Sequence, residues 1–112
     1  MTKPILYHCP DARSLRCLWA VEEVGLDIEL HNLPFPPRAF APEFRDVNPL
    51  MTVPAWLEDG TMLTESAAIV ERIAEGTELE VRRDEPDFRE WRNWMHRSDA
   101  TLTFPLAVVL RY

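Results

Sequence analysis

Candidate catalytic side chains first occur between a short apolar run, residues 5–7, and a helical pattern that starts near Ala12. This segment contains Cys9, Arg13 and Ser14. Backbone N–H groups and the helix dipole stabilise a thiolate at such a position. Ser14 could donate a hydrogen bond to a bound thiolate, and Arg13 could supply positive charge. The simpler alternative is that Ser14 caps the helix and Cys9 fills apolar space.

A second segment places a proline before a short apolar strand, at Val53-Pro54. A cis proline here would leave the backbone of Val53 free to pair with an extended, peptide-like ligand. Taken alone this signal is weak, because only about 5–6% of X–Pro bonds in folded proteins are cis.

A third segment, Thr64-Glu65-Ser66, opens another helical pattern. The hydroxyl and backbone N–H of Ser66 form a ready carboxylate site, and Glu65 can hold a neighbouring ammonium group. A plain helix cap is the alternative for this segment as well.

The surrounding pattern predicts the elements that carry these segments. A strand at residues 5–7, a helix capped by Asp11 or Ser14 and ended by Gly25, and a strand at residues 26–30 make a βαβ unit with parallel strands. A proline-rich stretch then permits one short helix near residues 41–46. The turn Asp59-Gly60 predicts a hairpin, and a helix follows from Ser66 to Gly76. The ligand site is expected at the carboxyl ends of the strands.

The last third of the chain differs in composition. Residues 77–85 are polar, and Pro86 opens a predicted long helix that runs to about Leu110 with a kink at Pro105. Its apolar end, from Phe104 onwards, has no obvious packing partner in the sequence.

Composition narrows the classes of function. The chain has 112 residues, is 46% hydrophobic and 28% charged, and carries a net charge of −7. This charge disfavours nucleic acid and anionic membranes as partners, and the apolar runs are too short for a membrane span. Two cysteines without a CxxC pattern indicate a reducing compartment, so a cytoplasmic location is expected. The three histidines share no spacing, and no metal site is predicted.

The order Tyr7…Pro10…Arg13…Glu22-Glu23, then Asn48-Pro49…Val53-Pro54, then Thr64-Glu65-Ser66-Ala67-Ala68-Ile69 resembles the glutathione S-transferase family. The resemblance covers residues 4 to about 75. It implies an α/β fold: a thioredoxin-like βαβ-α-ββα domain over residues 1–76, a linker at 77–85, and at 86–112 the first long helix of a truncated all-α C-terminal domain. From the resemblance we expect either that the chain is truncated or that an association covers this last helix.

The resemblance also implies site roles. The backbone at Val53, beside a cis Pro54, would pair with the cysteinyl unit of glutathione, and Glu65 and Ser66 would hold its γ-glutamyl end. Thr52 stands where relatives carry Lys or Gln. The remaining implied contacts are Arg38 near the glycine carboxylate and Asp99 toward the ammonium of glutathione in a dimer partner.

The sequence departs from the family where the thiol is activated. Ala12 occupies the position of the usual serine, so Ser14 is the preferred catalytic candidate, with Arg13 beside it and Cys9 ranked lower. Tyr7 is interpreted as a core residue. The leading hypothesis is a homodimeric transferase that activates glutathione for attack on a small electrophile. The alternatives are a non-catalytic glutathione-binding module and a Cys9-dependent thiol–disulfide oxidoreductase.

Overall fold

A computed structural model describes residues 2–111, so the outermost positions of the two predicted domains, 1 and 112, lie outside the described residues. The chain divides into two compact units between Ile73 and Ala74. The first unit contains β1 (Ile5–His8), α1 (Ser14–Val24), β2 (Glu29–Asn32), α2 (Pro37–Phe40), a 3-10 helix (Pro42–Asp46), β3 (Ala55–Glu58), β4 (Thr61–Leu63) and α3 (Ser66–Ala74). The second contains α4 (Phe88–Arg97), a π-helical segment (Ser98–Thr103) and α5 (Phe104–Arg111).

The four strands form one sheet in the order β2-β1-β3-β4. β1 is parallel to β2 and antiparallel to β3, and β3 and β4 form an antiparallel hairpin. The parallel β1–α1–β2 unit and the hairpin are both as the sequence predicted. Asp59 and Gly60 at the hairpin tip have φ values of 49° and 81°, the left-handed conformation that a tight Asp-Gly turn requires.

Successive residues of the central strands face opposite sides of the sheet and divide the core in two. Leu6 and Trp56 face α1 and α3, where they pack with Cys17, Ile69 and Ile73. On the other side lies a smaller cluster around the 3-10 helix, formed by Tyr7, Ala41, Phe44, Met51 and Ala55.

Two predicted boundaries in the first unit are wrong. β2 is paired from Glu29 to Asn32 rather than over residues 26–30, because the backbone N–H groups of Gly25 and Leu26 both bond to the Val21 carbonyl and close the end of α1. The predicted short helix at residues 41–46 is the 3-10 helix Pro42–Asp46, and a further turn, α2, precedes it with Pro37 at its first position.

In the second unit, residues 75–87 form turns and irregular backbone, and α4 begins at Phe88, two residues after Pro86, where the sequence predicted the helix to open. In place of one α-helix, a π-helical segment separates α4 from α5. It ends at Thr103, two residues before Pro105, whose ring would clash with the carbonyl four residues earlier in a regular α-helix. Within residues 2–111, no helix has the length and apolarity needed to cross a membrane.

Candidate functional site

Strand register brings the three chemically interesting segments to one edge of the sheet. Tyr7 pairs with Ala55, so the end of β1 lies beside the start of β3, directly after Val53-Pro54. Trp56 pairs with Leu63, so the end of β4, which leads into Glu65 and Ser66, reaches the same edge. The candidate site is therefore built from the β1–α1 loop, the segment before β3 and the start of α3.

The β1–α1 loop, residues 9–13, has an unusual backbone. Asp11 adopts a left-handed conformation with φ of 60°, and Arg13 stands at the N-cap of α1 with no side-chain capping hydrogen bond. The prediction that Asp11 or Ser14 caps the helix is therefore wrong, since Ser14 is already the first helical residue. The side chain of Arg13 is exposed, and Ala12 is half-buried.

Ser14 points into the protein. It is 0% exposed. Its Oγ lies 2.7 Å from Nδ1 of His8, accepts the Cys9 backbone N–H at 3.2 Å, and lies 3.2 Å from the Cys9 carbonyl oxygen. Its hydrogen-bonding capacity is thus used inside the protein. Ser14 as the donor to a ligand thiolate stays a prediction, and this geometry weighs against it.

Both cysteines are buried free thiols. Burial raises the pKa of Cys9, whose Sγ lies 3.7 Å from the Pro34 carbonyl oxygen. Burial also raises the pKa of Cys17 to about 12. A reactive cysteine needs the opposite, a lowered pKa and access to solvent.

Tyr7 is a core residue, as the sequence analysis interpreted it. Its ring packs edge-on against His31 and at a tilt against Phe44. Burial and the nearby Glu29 carboxylate raise the pKa of the Tyr7 hydroxyl.

The segment before β3 is held by a buried amide. The Val53–Pro54 peptide bond is cis, and Pro54 is buried while Thr52 is exposed. Asn48, 1% exposed, donates from Nδ2 to the Thr52 carbonyl at 2.9 Å and accepts the Leu50 N–H at 3.1 Å. Asn48 therefore sets the path of the chain into Val53, a role that the sequence analysis did not assign.

Met51 has a backbone conformation that few residues other than glycine adopt. Its φ of 58° lies in the left-handed region, where glycine is favoured. A glycine would adopt this conformation without strain, and the Met51 side chain packs in the smaller core cluster.

At the start of α3, Ser66 is buried and Glu65 is exposed. The guanidinium of Arg16, on the first turn of α1, donates to Ser66 Oγ at 3.3 Å, and the Cys17 thiol lies 3.8 Å from the Ser66 carbonyl oxygen. Sequence reasoning missed Arg16. The available signal was a cation near the start of the predicted first helix, but its partner is 50 residues away in the chain.

The two remaining predicted site residues lie on other elements. Arg38 is exposed on α2, and Asp99 is half-buried in the π-helical segment of the second unit. Among the residues that the structure describes, no three His, Cys, Asp or Glu side chains gather where a metal ion could be held.

A four-stranded mixed sheet with α1 and α3 on one face, and a candidate site at the segment before β3, is the arrangement of a thioredoxin-like α/β domain. Residues 12–75 match the family model described as the glutathione S-transferase N-terminal domain. The chain belongs to the glutathione S-transferase family, as the sequence pattern indicated.

Individual relatives agree with this assignment. Glutathione S-transferase 3 of Schizosaccharomyces pombe is 30% identical over 101 residues, which are 88% of this chain and 42% of the relative. A glutathione transferase from Methylococcus capsulatus superposes with a TM-score of 0.78 at 29% identity, over 88% of this chain and 52% of the other. A Sulfitobacter homologue solved with bound glutathione superposes with a TM-score of 0.74 at 28% identity, over 90% of this chain and 50% of the other. The chain thus spans about half the length of these relatives.

Proposed function

We propose that this chain binds glutathione along the edge of its first unit and activates the glutathione thiol for attack on an electrophilic substrate. The observation that carries the proposal is the pairing of Arg16 with Ser66 at the start of α3, on the edge that also holds the cis Val53–Pro54 peptide. The Sulfitobacter homologue, which holds glutathione, supports this choice of ligand.

Each end of glutathione matches a group at this edge. The γ-glutamyl carboxylate would accept hydrogen bonds from the Ser66 hydroxyl and the backbone N–H groups that open α3, beside the Arg16 guanidinium. The exposed Glu65 carboxylate suits the ammonium group at the same end. The cysteinyl unit would pair with the backbone of Val53, as an added strand pairs with a sheet edge.

The other assignments are proposals of the same kind. Arg38 would bind the glycine carboxylate of glutathione, and Thr52 would lie beside the glutathione backbone. Asp99 would approach the ammonium of glutathione held by a partner subunit. We also propose a homodimer and a cytoplasmic location, in keeping with the expectations from the sequence.

Ser66→Ala tests the carboxylate site directly. A hydrogen bond to a charged group contributes about 1.5–3 kcal/mol, so the variant should bind glutathione about 10- to 100-fold more weakly in isothermal titration. Ser98→Ala is the matched control, because Ser98 bonds to the Met95 carbonyl within the second unit. Equal affinity of Ser66→Ala and wild type would contradict the assignment of this site.

A non-catalytic glutathione-binding module is the second candidate function. Two observations favour it: Ala12 replaces the usual serine, and the hydroxyl of Ser14 is bonded internally. Retention on immobilised glutathione, with no conjugation of chlorodinitrobenzene, is the result expected for such a module. Conjugation by the purified chain would support the transferase instead.

A further inference from the structure

A buried polar cluster at the end of β1 is not explained by ligand binding alone. His8 is 8% exposed, while Cys9 and Ser14 are 0% exposed. Buried polar side chains are costly unless they are hydrogen-bonded. Within this cluster the Ser14 hydroxyl has three polar neighbours: the His8 imidazole and both backbone groups of Cys9.

His8 is a hydrogen-bond partner of Ser14 whichever way the hydroxyl proton of Ser14 points. The Ser14 hydroxyl has one proton and accepts from the Cys9 N–H. It either donates to the Cys9 carbonyl while accepting from a protonated Nδ1 of His8, or donates to an unprotonated Nδ1. In both cases Ser14 joins the imidazole of His8 to the backbone at the start of the loop.

This cluster closes the β1–α1 loop from its two ends, since Cys9 is its first residue and Ser14 follows its last. The loop contains Asp11 in a left-handed conformation, which costs most residues other than glycine roughly 1–2 kcal/mol and Asp less, so that support from its surroundings helps to hold it. The Ser14 side chain supplies that support by binding the backbone on the far side of the strained residue.

We propose that His8 and Ser14 are a pair of positioning residues that hold the β1–α1 loop in the conformation needed to activate the glutathione thiol. This inference rests on the proposed function. The pair is not a nucleophilic Ser–His arrangement, because the Ser14 hydroxyl is fully buried and its further contacts are the backbone groups of Cys9. Its action on the thiol is indirect, through the loop that carries Ala12 and Arg13.

Three single variants and one double variant of the full chain test the pair. Ser14→Ala and His8→Leu each remove one partner, His8→Asn keeps a polar atom near the position of Nδ1, and the fourth variant combines Ser14→Ala with His8→Leu. Hydrogen–deuterium exchange of residues 9–14 reports on the loop, with the β3–β4 hairpin as the internal control. The pKa of the bound thiol, followed by thiolate absorbance against pH, reports on activation.

Loss of either partner should accelerate exchange in residues 9–14 by about tenfold, the effect of one hydrogen bond, and leave the hairpin unchanged. Exchange in the double variant should be little faster than in either single variant, because the effects of coupled residues are not additive. Both single variants should raise the pKa of the bound thiol by similar amounts, and His8→Asn should restore most of the effect.

Opposite outcomes overturn the proposal. If Ser14→Ala raises the pKa of the bound thiol but His8→Leu does not, Ser14 acts on the thiol directly. If the exchange effects of the two variants simply add, the residues do not act as a pair. Should wild type fail to bind glutathione, the proposed function fails, while exchange in residues 9–14 still decides whether His8 and Ser14 hold the loop. If Ser14→Ala does not fold, exchange in residues 9–14 is compared between His8→Leu and His8→Asn. Equal exchange in these two variants would also overturn the proposal.

Discussion

Three neighbouring residues at the start of α1 differ in their access to a ligand. Arg13 is exposed, Ala12 is half-buried, and Ser14 is buried and internally bonded. Lowering the pKa of a thiol by about 2.5 units requires about 3.4 kcal/mol of extra stabilisation of the thiolate. The single hydroxyl that the sequence offered for this task faces the interior, so the loop and its surroundings must provide the stabilisation in a catalytic protein.

Thiol chemistry gives a prediction at this scale. Burial raises the pKa of Cys9, and it raises that of Cys17 to about 12, so Cys17 should carry about a thousandfold less thiolate than an ordinary thiol of pKa 9. Both residues should resist a disulfide-forming thiol reagent in the folded protein and react only on unfolding. Labelling followed by mass spectrometry measures this.

Ala68→Cys, at an exposed position of α3, is the control that should label rapidly. A mixed disulfide between Cys9 and oxidised glutathione, formed in the folded protein, would contradict the prediction and support thiol–disulfide exchange.

Among the elements, β3 and α3 are joined by an ion pair. Arg72 donates from Nε to one carboxylate oxygen of Glu58 at 2.8 Å and from Nη2 to the other at 2.6 Å, and the Trp56 indole N–H donates to the first at 3.0 Å. Paired, bidentate bonds of this kind are stronger than most surface ion pairs. They hold α3, and with it Ser66, against the hairpin.

The Glu58 pKa is held below its ordinary value of 4.5, chiefly by the hydrogen bonds from Arg72, although burial opposes the shift. A lowered pKa in the folded state means that the ion pair stabilises the protein above the unfolded-state pKa, and that this stability is lost as the pH falls through the folded-state pKa. Glu58→Gln should therefore lower the free energy of unfolding by about 1–3 kcal/mol at pH 7.

Urea denaturation of the wild type and of Glu58→Gln at pH 7, and at several values below 4.5, tests this prediction; the difference should shrink as the pH falls. Asp27→Asn removes the exposed Lys3–Asp27 pair, at 3.2 Å, and should change stability by less than about 1 kcal/mol. A Glu58→Gln effect that is independent of pH would show that the ion pair is not its cause.

At the scale of the whole molecule, α5 and the residues before it present a large apolar surface. Six side chains here are between 41% and 76% exposed: Leu102, Phe104, Leu106, Val108, Val109 and Leu110. A helix that is apolar on all sides is normally buried, and exposed apolar patches of this size mark interaction sites or cause aggregation.

We therefore expect the 112-residue chain to self-associate at micromolar concentrations. Replacing Val109 and Leu110 with lysine should shift it toward a monomer in sedimentation velocity. Phe40→Lys, at a comparably exposed position in the first unit, is the control and should leave the association unchanged. A wild-type chain that sediments as a monomer would contradict this expectation.

Sequence patterns predicted where the helices lie better than they predicted which side of each helix is buried. In α1 the apolar spacing puts Leu15, Leu18 and Trp19 on one stripe that Cys17, Ala20, Val21 and Val24 widen. Leu15 and Trp19 are nevertheless 57% and 66% exposed, and Cys17, Ala20 and Val21 form the buried face. Both sets recur at helical spacing, so periodicity alone could not choose between them. The choice depends on which side of the helix meets the sheet.

Sequence patterns predicted the strand order of the first unit, its helices apart from the short α2, the Asp59-Gly60 hairpin and the three segments that form the candidate site. Local chemistry suffices for these features, because turn residues and hydrophobic periods act within a few positions. Tertiary structure alone decided that Ser14 faces His8, that Arg16 reaches Ser66, and that Cys9 is sealed from solvent. Each of these depends on loop backbone or on strands and helices that meet only when the chain folds.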